Sequence, residues 1–211
     1  DKKYCEKGWF APPMPDLNQA NPLVLNYLTQ NAIWWIEYAD LDGLRVDTYS
    51  YNDKEGIAKW TKAIMDEYPH FNIMGEVWLN QSAQVSYWQK DSPISAIQSY
   101  NTYLPTVMDF PLFNAIGEAF RATPSWDKGM IQLYDNLAND FLYKDINNLL
   151  IFAENHDTAR LNHVYPKIAD YKLIISMLAT ARGIPQLYYG SEIGMAGDKS
   201  KGDGHIRQDF P

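Results

Sequence analysis

The sequence holds one cysteine, Cys5, among 211 residues. A lone thiol closes no internal disulfide and builds no zinc cluster, and it is compatible with a reducing or an oxidising compartment. There is no run of Lys or Arg, and the formal net charge is −8. An acidic surface without a basic patch lacks the footprint of a nucleic-acid binder or of a protein held on anionic lipid. No apolar run approaches the ~20 residues of a membrane span. No signal peptide opens the chain either, but its start reads as internal to a longer protein, so targeting information can have been removed.

Aromatic residues, by contrast, are plentiful: 14% of the chain, with 15 Tyr and 7 Trp. Such rings fill a core, or they form platforms that cover the C–H face of a sugar while a polar tip reaches water. With 46% hydrophobic residues there is apolar material for one sizeable core.

Along the chain, short apolar strands alternate with amphipathic helices. Residues 1–20 read as loop, with Pro12, Pro13 and Pro15 excluding a regular helix. Asn21-Pro22 reads as a cap with proline in the first turn, opening a helix to about Tyr38 with Leu25, Leu28, Ile33 and Ile36 on its buried side. A strand Leu41–Asp47 follows, then a helix from Asn52 or Asp53 to about Tyr68. Further strands are expected at 71–76, 106–110, 149–154 and 184–190, and further helices at 112–121, 127–142 and 168–182, the last closing at Gly183. This alternation predicts parallel α/β structure. Four of the five strands end in an acid (Asp47, Glu76, Asp109, Glu154), and in a parallel sheet or barrel those ends share the ligand-binding face.

Two carboxyl groups in unlike environments, one ionised and one kept protonated, are what glycosidic bond hydrolysis requires. Arg45 stands two residues before Asp47, so in a strand both side chains point to one face, where the guanidinium favours an ionised nucleophile. Glu76 lies between Gly75 and Val77-Trp78, whose apolar character favours a raised pKa and a general acid.

These segments resemble glycoside hydrolase family 13, the α-amylase family. Gly43-Leu44-Arg45-Val46-Asp47 is similar to its second motif, Met74-Gly75-Glu76-Val77-Trp78 to its third, and Phe152-Ala153-Glu154-Asn155-His156-Asp157 to its fourth. The stretch from Gly183 to Glu192 resembles the region of the eighth barrel strand. The resemblance implies Asp47 as nucleophile, Glu76 as acid/base and Asp157 as a third carboxylate that grips substrate hydroxyls. It implies Arg45 as the residue orienting the nucleophile and His156 as a sugar ligand. Trp78 reads equally as sugar platform or core, Asp109 as a helix-capping acid, and Trp34 and Trp35 as packing. Of Tyr188 and Tyr189, one is expected to face the barrel interior and the other the helices.

Met14-Pro15-Asp16-Leu17-Asn18-Gln19 and the closing Asp203–Pro211 resemble the neopullulanase, cyclomaltodextrinase and maltogenic amylase group. Ser50-Tyr51 departs from that group, which often has Asn-Glu or Lys-His there, at a position that bears on acceptor-side specificity. The implied fold is a partial (β/α)8 TIM barrel of about five βα units. Residues 1–20 would end an inserted segment ahead of the third barrel helix, and 21–211 would be the C-terminal part of the catalytic barrel.

The implied function is a retaining hydrolase of α-1,4-glucosidic linkages, acting on starch oligosaccharides, pullulan or cyclodextrins. A transglycosylase and a non-catalytic barrel module are the alternatives. The partner is an α-glucan oligosaccharide, and no cofactor is needed for the chemistry. Asp198, Asp203 and Asp209 can offer oxygens to a structural calcium ion, although a solvated acidic loop suits them better. Strands matching the family's first three are absent, as are its first motif and its C-terminal β-domain, so the 211 residues alone are expected to be inactive or nearly so. The compartment reads as periplasm or cytoplasm, with a lean to the periplasm.

Overall fold

The computed structural model describes residues 8–211; Cys5 and the rest of the first seven residues lie outside the described residues. The chain divides into two units. One comprises residues 8–108 with Phe141–Asn148, the other Asp109–Asp140 with Leu149–Pro211.

In the first unit, the segment expected to be loop forms a small antiparallel hairpin, β1 (Trp9–Ala11) with β2 (Met14–Pro15). Proline is accommodated because a two-stranded edge has few ladder bonds to lose. Helix α1 (Pro22–Ala39) begins as its sequence predicts, with Asn21 accepting the Leu23 amide at 3.0 Å and Pro22 in the first turn. Ala32 and Ile36 are buried, while Trp34 and Trp35 are about half exposed. Those two tryptophans pack on each other and on Tyr38 rather than into a core.

Strand β3 (Gly43–Val46) follows, then α2 (Lys54–Glu67), capped by Asp53 accepting from Gly56 N at 2.9 Å. Trp60 on α2 donates its indole N–H to Leu28 O on α1 at 3.2 Å, fixing the two helices together. Strand β4 (Asn72–Gly75) pairs parallel with β3, and β5 (Thr106–Met108) pairs parallel with β4. Between β4 and β5 lie two short helices, α3 (Ser82–Ser86) and α4 (Pro93–Ala96), in the stretch whose sequence is irregular. Ile64, Ile73, Val77, Val85, Leu104 and Val107 are fully buried and form the unit's core.

The second unit opens with α5 (Phe110–Arg121), whose first turn is capped by Asp109 accepting the Leu112 amide at 2.9 Å. Arg182 donates to Asp109 Oδ2 at 2.6 Å and to Asp140 through Nε and Nη2. Asp109 thus caps a helix and anchors a cation, as a structural acid does. Helix α6 (Ile131–Leu137) is shorter than its pattern suggests. Strand β6 (Leu149–Ile151) leads to α7 (Leu161–Val164) and α8 (Ile168–Thr180), and β7 (Ile184–Pro185) pairs parallel with β6. Helix α8 stops before Arg182, whose side chain goes to the two acids. Gly183 then takes a φ of +96°, with the site of a Cβ only 2.6 Å from Leu149 O, so only glycine fits the turn into β7. Phe110 and Phe113 both pack on Phe152 at 5.1 Å between centroids.

Candidate active site

Parallel register puts the first two candidate carboxyls side by side. Val46 is paired with Gly75, and the ladder runs one step further, with Glu76 N–H donating to Val46 O at 2.9 Å and Tyr49 N–H to Glu76 O at 3.0 Å. Asp47 and Glu76 are therefore equivalent positions just beyond β3 and β4. Gly75 is required here, since a Cβ would lie 2.6 Å from Leu104 and 2.9 Å from the buried ring of Tyr49. That ring is locked by its hydroxyl, 2.8 Å from Thr61 Oγ1.

Arg45 joins the two acids. Its Nη1 donates to Asp47 Oδ1 at 2.5 Å and its Nη2 to Glu76 Oε1 at 2.7 Å. The other Glu76 oxygen accepts the Thr48 amide at 3.0 Å. Thr48 itself sits in the left-handed region at φ 47°, strained for a β-branched residue. Asn52 holds the turn by donating to Thr48 O at 3.1 Å. Neither Thr48 nor Asn52 stands out in the sequence, because one acts through its backbone and the other through a turn.

The two carboxyls differ in environment. The Asp47 side chain is 56% exposed and that of Glu76 only 6%. Burial pushes the Glu76 pKa above its ordinary value. The Thr48 amide and the Arg45 charge oppose this without cancelling it, and the nearby Asp47 carboxylate adds to it. Arg45 and Asp47 also line a cavity of about 420 Å³, with Leu28, Trp35 and Trp60 among its apolar walls. Trp78, just past β4, is 40% exposed.

The remaining candidates lie in the second unit. Asn155 Oδ1 accepts the Asp157 amide at 2.9 Å and Asn155 N–H donates to Thr158 Oγ1 at 2.9 Å, making a tight turn after β6. His156 Nε2 stands 3.0 Å from Asp157 Oδ2. Arg207 reaches back 50 residues to hold both: its Nη2 donates to Asp157 Oδ1 at 2.7 Å and its Nε to His156 O at 2.9 Å. Arg207 is a site residue that sequence reading passed over; its presence in the closing motif is the only signal. Asp203 and Asp198 are engaged locally, by Lys199 and Arg207 in the first case and by Ser200 in the second. Among the described residues no three acids, histidines or cysteines gather as a metal site.

The description "alpha amylase, catalytic domain" matches this chain over residues 4–210. The chain belongs to the α-amylase family. It is 31% identical to the intracellular maltogenic amylase of Bacillus subtilis over 192 residues, covering 90% of this chain and 30% of that one. A cyclomaltodextrinase of Thermoanaerobacter pseudethanolicus is 30% identical over 190 residues, covering 88% and 30%. The crystal structure of an α-amylase from Geobacillus thermoleovorans, complexed with acarbose, has a TM-score of 0.82 and 31% identity, covering all of this chain and 45% of that one. The chain therefore spans about a third of the curated relatives named here and less than half of the solved amylase. Its α/β fold is the corresponding part of an α-amylase-family barrel, and that family is one of glycoside hydrolases.

Tyr188 and Tyr189 depart from expectation. Strand β7 ends at Pro185 and Gly190 takes a φ of +83°, so alternation between faces does not reach the tyrosines. Their rings meet at 4.7 Å and both lie over the guanidinium of Arg160, at 3.9 and 4.7 Å from the ring centres.

Proposed function

We propose that the protein containing this chain is a retaining α-glucan hydrolase acting on α-1,4 linkages. The observation that carries this reading is the Arg45 guanidinium shared by an exposed Asp47 and a buried Glu76 whose pKa is raised. Asp47 attacks the anomeric carbon. Glu76, still protonated, gives its proton to the leaving oxygen and then takes one from the water that releases the sugar. Two acids held by neighbouring nitrogens of one guanidinium suit a retaining pair, with carboxyls ~5–5.5 Å apart, better than an inverting pair that must admit a water between them. Asp157 and His156 are assigned to grip sugar hydroxyls, with Trp78 as a ring platform.

Starch oligosaccharides, pullulan and cyclodextrins are the substrate class, in keeping with the names of the maltogenic amylase and cyclomaltodextrinase relatives. Residues 21–211 are read as the C-terminal part of the catalytic barrel, and the segment up to residue 20 as the end of an insertion before it. Among the described residues no helix is long and apolar enough to cross a membrane. The periplasmic lean of the sequence finds no support in the relatives, one of which is named an intracellular enzyme.

Transglycosylation uses the same residues, with a sugar hydroxyl in place of water, and product analysis at high substrate concentration separates the two. Profiling products of the full-length protein on the three substrate types tests the reading. Release of glucose and maltose that disappears in Glu76→Gln supports it; no turnover by the parent on any of them leaves a non-catalytic binding module.

A further inference from the structure

Glu154 is only 4% exposed and has no part in the chemistry above. Its Oε2 accepts the Leu161 amide at 2.7 Å, so the carboxyl closes the base of the loop that carries Asn155, His156 and Asp157. Its Oε1 makes a short hydrogen bond with Ser191 Oγ, and that same Oγ stands 2.5 Å from the carbonyl oxygen of Tyr188. The Ser191 carbonyl is itself fixed by the Tyr171 hydroxyl at 2.6 Å.

A serine hydroxyl has one proton to give, and two oxygens here ask for it. The Tyr188 carbonyl also accepts the Ser191 amide at 3.0 Å, so neither oxygen lacks a donor outright. With Glu154 ionised, however, the one Oγ proton can occupy only one of the two short O···O contacts, and the other is left with lone pairs facing each other. With Glu154 protonated, its own O–H donates to Ser191 Oγ while Ser191 donates to Tyr188 O, and both short contacts hold a proton. Burial acts in the same direction, pushing the Glu154 carboxyl above its ordinary range against the opposing hydrogen bonds and the charge of Arg160. Arg160, 1% exposed, gives Nη1 to Tyr189 O at 2.6 Å and lies against the Tyr188 and Tyr189 rings.

We infer that Glu154 is a positioning residue for Asp157, held as a neutral acid whose O–H donates to Ser191 and so latches the Asn155–Asp157 turn to the segment after β7. The inference rests on the assignment of Asp157 as a carboxylate that grips the substrate in the transition state. A loosened turn then lowers kcat and leaves ground-state binding, and hence KM, little changed.

The test uses the full-length protein and the variants Glu154→Ala, Glu154→Gln and Ser191→Ala, with maltooligosaccharide kinetics and hydrogen exchange of the Asp157 amide. Glu154→Ala is expected to lower kcat by about 10- to 100-fold with KM within about twofold, and to speed Asp157 exchange about tenfold or more. Glu154→Gln, whose amide N–H donates where the acid did, returns both to near the parent. Parent-like kcat and exchange in Glu154→Ala overturn the inference, and so does a Glu154→Gln variant as impaired as Glu154→Ala. If Glu154→Ala does not fold, Ser191→Ala decides, with parent-like values again overturning it. A parent that hydrolyses nothing sinks the functional reading, while the exchange measurement still decides the latch.

Discussion

Arg45 is the residue on which the proposed chemistry turns, because one guanidinium serves two acids with opposite tasks. It steadies the exposed carboxylate of Asp47, yet its charge also pulls the Glu76 pKa down against the effect of burial. The sign is definite: Glu76 must be protonated to act as acid, so activity falls as pH rises through its raised pKa. Replacing Arg45 with Leu removes a charge that lowers that pKa, so the alkaline limb of kcat/KM should move to higher pH while the maximum rate drops. A pH–rate profile of the variant checks this, and a limb that stays put or moves down counts against Glu76 as the acid. Glu76→Gln removes the proton donor itself and should cost kcat about 10²–10⁴-fold on a substrate with a poor leaving group. At Arg207, alanine should leave Asp157 without its 2.7 Å partner and lower kcat several-fold with KM little changed, read from maltooligosaccharide kinetics.

At the scale of elements, the fold puts the carboxyls where local sequence rules can foresee them. Asn21-Pro22 and Asp53 start their helices as capping chemistry predicts, and the Arg45-x-Asp47 spacing puts both side chains on one strand face. Parallel pairing of Val46 with Gly75 then turns two separate motifs into one pair. What local rules cannot see is contact at long range. Arg182 with Asp109 spans 73 residues, Arg207 with Asp157 spans 50, and Ser191 with Glu154 spans 37. The ends of elements also shift: α8 stops at Thr180, short of Arg182, whose side chain meets two acids, and β7 stops at Pro185, short of the expected Gly190. The Asp109–Arg182 pair is nearly buried, with side chains 1% and 12% exposed. Asp109→Ala leaves a buried cation short of a partner and α5 without its cap, so it should destabilise the protein by about 3–5 kcal/mol. Denaturant unfolding measures that loss, and a change below about 1 kcal/mol would show that Asp140 alone satisfies Arg182.

For the whole molecule, the family match spans almost the full chain, while the chain spans only about a third of the relatives compared. Its carboxyls are therefore proposed to work within a longer protein, and the 211 residues alone should hydrolyse maltooligosaccharides at a small fraction of the full-length rate or not at all. An assay of the two side by side checks this. Asp47 as nucleophile and Glu76 as acid make a double-displacement enzyme. Proton NMR of the first product formed from a maltooligosaccharide by the full-length protein, read before mutarotation, distinguishes double from single displacement. With Asp47 and Glu76 in these roles the α-anomer of the new reducing end appears first; initial appearance of the β-anomer rules the assignment out.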